Sequence, residues 1–331
     1  MTTESTTLLS DLRTHFLEHL RATFTEKEPR GLYAPIDYIL DLGGKRVRPL
    51  LALLAGKMFG DNNLHYAMPI ALAVEVFHNF TLLHDDIMDD SPLRRGQPTV
   101  HEKWDVNTGI LSGDLMLIQA YQHLSACPNT AALSALFHAF NRVATGVCEG
   151  QQYDVDFESR QDVTIPEYLR MIELKTAVLL GGSLELGALA AGAKTADADH
   201  LYAFGRLTGL AFQLQDDLLD TFGDSQATGK RTGNDIIRNK KTFLFLKALE
   251  LLGQEERQEL EKWFASHPED PTEKVIKVTE MMARVGIPQA VADLRDQYQE
   301  KAFAHLAAAG GDPDVKQALR QLAENLLQRK S

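Results

Sequence analysis

The sequence predicts an all-α fold, and three observations carry that prediction. Apolar residues recur with helical period through almost the whole chain, glycine and proline punctuate them, and no stretch alternates apolar and polar as a strand would. Hydrophobic residues make up 44% and charged residues 24%, the balance of an ordinary globular chain. At 331 residues there is enough chain for a sizeable core, read here as one domain over residues 1–331.

Helices are predicted over residues 8–22 and 34–41, after which Gly43-Gly44 breaks the chain. Lys45-Arg46-Val47-Arg48-Pro49 leads into a helix over 50–58, and three cations at a glycine-loop-to-helix junction suit a diphosphate, although such loops are usually only solvated. A helix over 66–88 follows. Pro98-Thr99-Val100-His101 then opens a short helix, Ser112-Gly113-Asp114 starts the next, and one from about 130 closes near Glu149–Asp154. Pro166 sits in the first turn of a long helix holding Lys175-Thr176 and Gly181-Gly182. A helix over 201–222 precedes the glycine-punctuated basic loop Thr228–Asp235. Helices over 275–285, 287–309 and 315–328 hold no catalytic constellation and complete the bundle, and no repeat of fixed period is present.

The helix over 66–88 ends in His84-Asp85-Asp86-Ile87-Met88-Asp89-Asp90, with Arg94-Arg95 close behind. Asp85 shares a face with Asp89 and Asp86 with Asp90, and each such pair costs an isolated helix roughly 0.2–0.5 kcal/mol. Alone, the cluster reads equally as a solvated acidic helix end or as a Mg²⁺ site. A second cluster, Gln213-Leu214-Gln215-Asp216-Asp217-Leu218-Leu219-Asp220, also closes an apolar helical run. Both oppose the helix dipole, so together they favour cation binding and a polyphosphate ligand.

The formal net charge is −12, from 46 acidic against 34 basic residues, which argues against nucleic acid as a partner. An acidic chain that binds an anionic substrate needs cations to reverse the local charge. There is no charged segment followed by an apolar one at the N-terminus and no uninterrupted apolar run long enough to span a bilayer, so the chain reads as cytoplasmic. Cys127 and Cys148 form neither a metal spacing nor a disulfide framework, and are read as reduced and structural. No Ser/His/Asp or Cys/His arrangement suggests a covalent nucleophile, and no P-loop an NTPase. Metal-bound diphosphate without a protein nucleophile points to diphosphate as a leaving group.

Assembled in order, the motifs are Gly43-Gly44-Lys45-Arg46-x-Arg48-Pro49; Leu83-His84-Asp85-Asp86-x-x-Asp89 with Arg94-Arg95-Gly96; Gly113-Asp114; Gly150-Gln151-x-x-Asp154; Lys175-Thr176; Gln213-x-x-Asp216-Asp217-x-x-Asp220; and Gly229-Lys230 with Gly233-x-Asp235-Ile236. With these motifs most of the chain resembles the trans-isoprenyl diphosphate synthases of the polyprenyl synthetase family. The resemblance implies a single large helical bundle around a central cavity, the isoprenoid synthase type, in a homodimer. It implies that Asp85, Asp86, Asp89, Asp216, Asp217 and Asp220 gather Mg²⁺ ions, three with substrate bound. Arg94, Lys175, Lys230 and Lys240 would contact the allylic diphosphate. Lys45, Arg48, His78 and Arg95 would hold isopentenyl diphosphate, and Lys175, Thr176 and Gln213 would steady an allylic cation. The spacing from Lys230 to Lys240 is one residue longer than in some relatives, which leaves Lys241 as the rival to Lys240.

Phe80 and Phe77 precede Asp85 by five and eight residues, about 7.5 and 12 Å along a helix. Ordinary core packing explains such aromatics. In the family a large residue five positions upstream floors the elongation tunnel; with Phe80 aromatic, Thr81 small and no insertion in the motif, this chain resembles short-chain enzymes, C20 favoured and C15 next. The competing readings are a medium- or long-chain synthase, a class I terpene cyclase, a non-catalytic regulatory subunit of a heteromeric synthase, and a metal-buffering helical protein. The Asp-type second cluster argues against the cyclase, and the retained basic residues argue against the last two.

Overall fold

The computed structural model describes residues 3–24, 27–223 and 232–328, and they fold almost entirely as helices, as the sequence predicts. They form two compact units.

The first unit gathers the chain up to Phe140 with Gly182–Leu201 and Ala309–Leu319. It holds α1 (Thr3–Ala22), α2 (Arg30–Asp41), α3 (Val47–Met58), α4 (Leu64–Met88), the short α5 (Val100–Lys103), α6 (Val106–Ser125) and the start of α7 (Leu133–Ser159). Small residues set its packing: a side chain on Gly56 would overlap Ala67, and one on Gly187 would overlap the Ala52 backbone. Helices meeting at such positions approach closely, and nearly all of α3 is buried. By length and composition α4 is apolar enough to cross a membrane, but Glu75, His78 and Asn79 interrupt it and 67% of its apolar window is buried within the fold, as in a core helix.

Between α4 and α5 the chain makes a two-residue hairpin, β1 (Leu93–Arg94) against β2 (Gln97–Pro98), too short to show as an alternation in the sequence. Arg95 and Gly96 at its tip both have positive φ, 54° and 77°, the type I′ geometry that matches the strand twist. Tyr38 Oη donates to the Pro98 carbonyl at 2.7 Å and Thr99 Oγ1 to the Ser91 carbonyl at 2.8 Å, fixing the hairpin that carries both arginines.

The second unit gathers Asn141–Gly181, Tyr202–Ala308 and the chain from Arg320. It includes most of α7, α8 (Ile165–Ile172), most of α10 (Thr195–Phe222), and helices over Phe243–Leu251, Gln254–Ala265, Thr272–Arg284 and Ile287–Ala308. Thr164 and Glu167 form a capping box with Pro166 in the first turn of α8, the predicted helix start.

Three predicted boundaries move. Ser112-Gly113-Asp114 does not begin a helix: Asp105 caps α6 earlier by accepting from the Thr108 amide at 2.8 Å, and Ser112 and Gly113 lie buried in its interior. Helix α7 runs through Glu149–Asp154 to Ser159. The long helix expected around Lys175 is broken by a π-helical turn, Glu173–Ala177, before α9 (Val178–Ala190). Both cysteines are free thiols, Cys127 buried and Cys148 exposed.

Candidate active site

In the first unit α4 is mostly apolar, with Glu75, His78 and Asn79 as polar exceptions midway, and it ends in Asp85, Asp86 and Asp89. Asp90 at φ 49° closes it, with the Ser91 amide returning to the Asp86 carbonyl at 2.9 Å. Asp86 is buried, and Arg94 on β1 grips it as a fork: Nε to Oδ2 and Nη2 to Oδ1, both 2.6 Å. Burial raises the Asp86 carboxyl and Arg94 opposes the rise. Arg94 Nη2 is also 4.0 Å from Asp85. The carboxylates stand where the helix dipole disfavours them, so their hard oxygens fit a divalent cation with water and phosphate completing its shell.

The basic side of this unit is built on the Gly43-Gly44 turn. Gly44 has φ +123°, and a side chain there would stand 2.8 Å from the Arg95 guanidinium, which donates to the Gly43 carbonyl. Arg48 Nη1 lies 3.1 Å from Nε2 of His78 on α4. Burial, then the guanidiniums of Arg48 and its neighbours, hold the imidazole well below its usual range, so it is neutral. Burial likewise brings Arg48 down to about 10, against the pull of Glu75. Lys45 is exposed on the same turn. Arg46 departs from expectation: it sits at φ 52°, is buried, and donates to Glu75 and the Leu40 carbonyl, while Asn79 Nδ2 donates to the Glu75 carbonyl at 2.8 Å. It braces the turn and does not face a phosphate.

One and two turns before the aspartates, Phe80 and Phe77 join an aromatic cluster. The Phe77 ring is buried, 5.6 Å from Phe80 and 5.3 Å edge-on to Phe140, which in turn meets Tyr121 at 5.0 Å. Phe80 is half-buried and meets His84 at 4.9 Å, while Thr81 turns its hydroxyl to the His78 carbonyl at 2.8 Å.

The second unit brings together Lys175, Thr176, Gln213, Asp216, Asp217, Asp220 and Lys240. The π turn presents Lys175 to Asp154 at 2.6 Å, and Lys240 reaches the same oxygen at 3.7 Å. A side chain on Gly150 would collide with the Lys175 backbone amide, so glycine lets α7 touch the π turn. Burial alone would raise Asp154, but Lys175 and Lys240 together hold it below the usual carboxylate value. Lys241 spends its ammonium on the carbonyls of Phe157 (2.7 Å) and Glu158 (3.2 Å), so it is Lys240 that faces the carboxylate. Lys230 lies outside the described residues.

Thr176 Oγ1 donates to Gln213 at 3.3 Å, Gln213 Nε2 to Asp217 at 2.9 Å, and Tyr168 Oη to the other Asp217 oxygen. Asp220 accepts the Asp235 amide at 2.9 Å, which orders the chain leading to Lys240, and Asp216 is exposed. Burial raises both Asp217 and Asp235, with Asp217 and Asp220 adding to the rise at Asp235, an anionic crowding that a divalent cation would relieve. Asp154, Tyr168 and Asp235 join the site beyond the residues expected from sequence. Asp154 and Asp235 stand in its motifs, whereas Tyr168 is an aromatic on an amphipathic helix with no local signal.

The profile described as polyprenyl synthetase matches residues 29–282. A geranylgeranyl diphosphate synthase of Methanosarcina mazei is 42% identical over 223 residues, 67% of this chain and 68% of the relative. Among solved structures, a geranylgeranyl pyrophosphate synthase matches with a TM-score of 0.92 at 49% identity, covering 98% of this chain and 99% of the other. A polyprenyl synthase of Caulobacter crescentus, complexed with calcium and isoprenyl diphosphate, matches with a TM-score of 0.87 at 29% identity, covering 99% and 97%.

Proposed function

The chain belongs to the polyprenyl synthetase family and is a trans-prenyltransferase; from that premise we propose that it condenses isopentenyl diphosphate with dimethylallyl, geranyl or farnesyl diphosphate, acting as one catalytic domain over its whole length. The observation that carries the reading is the pre-set pairing of acid and base: Arg94 forked onto Asp86, and Lys175 and Lys240 sharing Asp154. Cations held this way are positioned before substrate arrives, so little reorganisation remains when diphosphate departs.

In this reading Asp85, Asp86, Asp89, Asp216, Asp217 and Asp220 hold Mg²⁺, three ions with substrate bound. When bound, the metal neutralises charge gathering on the leaving diphosphate. Arg94, Lys175, Lys230 and Lys240 orient that diphosphate. Lys45, Arg48, His78 and Arg95 anchor the diphosphate of the isopentenyl substrate, His78 as a neutral acceptor for Arg48. The allylic C–O bond breaks, the isopentenyl double bond attacks the cation, and loss of a proton completes a product one C5 unit longer. Thr176 and Gln213 present dipoles to the cation, and a hydrogen-bond chain to Asp217 fixes them.

The favoured product is C20, with C15 next, because Phe77 and Phe80 form an aromatic block below the first aspartates. A medium- or long-chain product is the alternative, and a non-catalytic regulatory subunit is disfavoured because no principal motif residue is missing. A homodimer is supported by the apolar stripe on α6, where Val106, Ile110, Leu111 and Ile118 are all exposed, and the reaction is assigned to the cytoplasm. The test is to incubate purified protein with Mg²⁺, isopentenyl diphosphate and each of the C5, C10 and C15 allylic diphosphates, then size the products. Elongation to C20 is expected, and no elongation with any primer would remove the reading.

A further inference from the structure

The hairpin that carries Arg94 and Arg95 is bounded by three ligating side chains that the proposed reaction does not use. Asp90 follows the end of α4, and His101 and Glu102 lie on α5. The His101 side chain is only 5% exposed, yet neither ring nitrogen has a hydrogen-bond partner. A buried imidazole with two unmet nitrogens is costly, and in folded proteins such groups are normally satisfied. Its Nε2 stands 4.0 Å from an Asp90 oxygen and 3.8 Å from a Glu102 oxygen. Both separations are too long for hydrogen bonds, and the three ligand atoms lie within 4.8 Å of one another.

We propose that Asp90, His101 and Glu102 form a binding site for a borderline divalent cation of the Zn²⁺ class, distinct from the Mg²⁺ ligands Asp85, Asp86 and Asp89. An ion about 2.0–2.2 Å from one nitrogen and two oxygens sets its donors roughly 3.4 Å apart in tetrahedral geometry. To reach that spacing each carboxylate oxygen closes on Nε2 by roughly half an ångström, and the two carboxylate oxygens on each other by at most about 1.4 Å. They are free to do so, with the Asp90 and Glu102 side chains 97% and 49% exposed. The buried imidazole is the fixed point and selects the metal: nitrogen suits Zn²⁺, Fe²⁺ or Ni²⁺, whereas Mg²⁺ keeps to oxygen. Water fills the remaining position. Such an ion ties the end of α4 to α5 and closes the segment bearing Arg94 and Arg95 into a cross-linked loop.

The test uses the full chain, with Zn²⁺ alone as the probe, in equilibrium dialysis against saturating Mg²⁺ so that the aspartate motifs are already occupied. The unaltered protein is expected to hold one more Zn²⁺ per chain than His101→Gln or Glu102→Gln, each of which loses at least about tenfold in affinity. Zinc K-edge absorption should show one imidazole and the rest oxygen. Glu102 is half exposed, so Glu102→Gln keeps the fold even if His101→Gln does not, and circular dichroism melts check both. Equal Zn²⁺ retention in the unaltered protein and in folded Glu102→Gln, or a shell without imidazole, would overturn the site. Binding is read without turnover, so the outcome is independent of whether the chain elongates prenyl diphosphates.

Discussion

Arg48 Nη1 lies 3.1 Å from Nε2 of His78, so a half-buried imidazole serves as acceptor for a guanidinium. That role requires the neutral ring, which burial and then the surrounding arginines enforce by holding His78 well below its ordinary value. The unfolded chain takes up this proton near pH 6.5, and the folded chain only at lower pH. Unfolded protein therefore binds more protons in that window, and stability must fall as pH drops below about 6.5, by at most about 1.4 kcal/mol per pH unit. Urea midpoints at pH 7.5 and 5.5 should show this loss in the unaltered protein and a smaller one in His78→Gln. Equal losses would show that His78 is not the group responsible.

Arg46 and Glu75 form an ion pair whose side chains are each only 3% exposed. Removing one partner strands the other charge in the interior, so Glu75→Ala should cost roughly 3–5 kcal/mol of stability. Replacing both, as Arg46→Met with Glu75→Leu, should recover much of that loss, since a shape-matched apolar pair avoids the stranded charge. Denaturant unfolding of the three variants decides it. A double variant no more stable than Glu75→Ala would mean that Arg46 braces the turn chiefly through the Leu40 carbonyl.

This pair also marks where sequence reasoning stops. Arg46 stands between Lys45 and Arg48 in a motif whose residue types announce anion binding, and spacing cannot tell which of the three turns inward. The left-handed backbone at Arg46, φ 52°, makes that choice, aiming it at a glutamate that lies 29 positions away in sequence. Helix periods and the two acidic helix ends were legible because they depend on residues three and four apart. The π turn at Glu173–Ala177 and the bond from Tyr168 to Asp217 were not: the first is a one-residue excess in a helix and the second a tertiary contact. The arginine hairpin was hidden by its brevity, although Gly96 was visible at its tip.

Asp154 is the shared anchor of Lys175 and Lys240. Asp154→Asn keeps the shape and removes the charge, leaving two cations to drift toward other acceptors. We expect kcat to fall about 10²-fold, in the range seen when one pre-set electrostatic contact is lost, with a smaller change in the KM for isopentenyl diphosphate. Lys240→Ala should resemble it, whereas Lys241→Ala should act mainly on stability through the Phe157 and Glu158 carbonyls. Steady-state kinetics that put the larger kcat loss at Lys241 would reverse the assignment.

The rings of Phe77 and Phe80 lie with centroids 5.6 Å apart, but the two residues differ in what else holds them. Phe77 is fully buried against Phe140, so Phe77→Ala opens a cavity and should cost about 3–5 kcal/mol. Phe80 is half-buried, so its truncation should cost less and act instead on the space beneath Asp85 and the rest of its cluster. If that space receives the growing chain, Phe80→Ala should shift the main product beyond C20 while the melting temperature falls less than in Phe77→Ala. Chromatographic sizing of the dephosphorylated products, beside thermal melts of both variants, separates packing from length control. An unchanged product profile in folded Phe80→Ala would remove Phe80 as the floor and leave Phe77, buried one turn deeper, as the residue to truncate next.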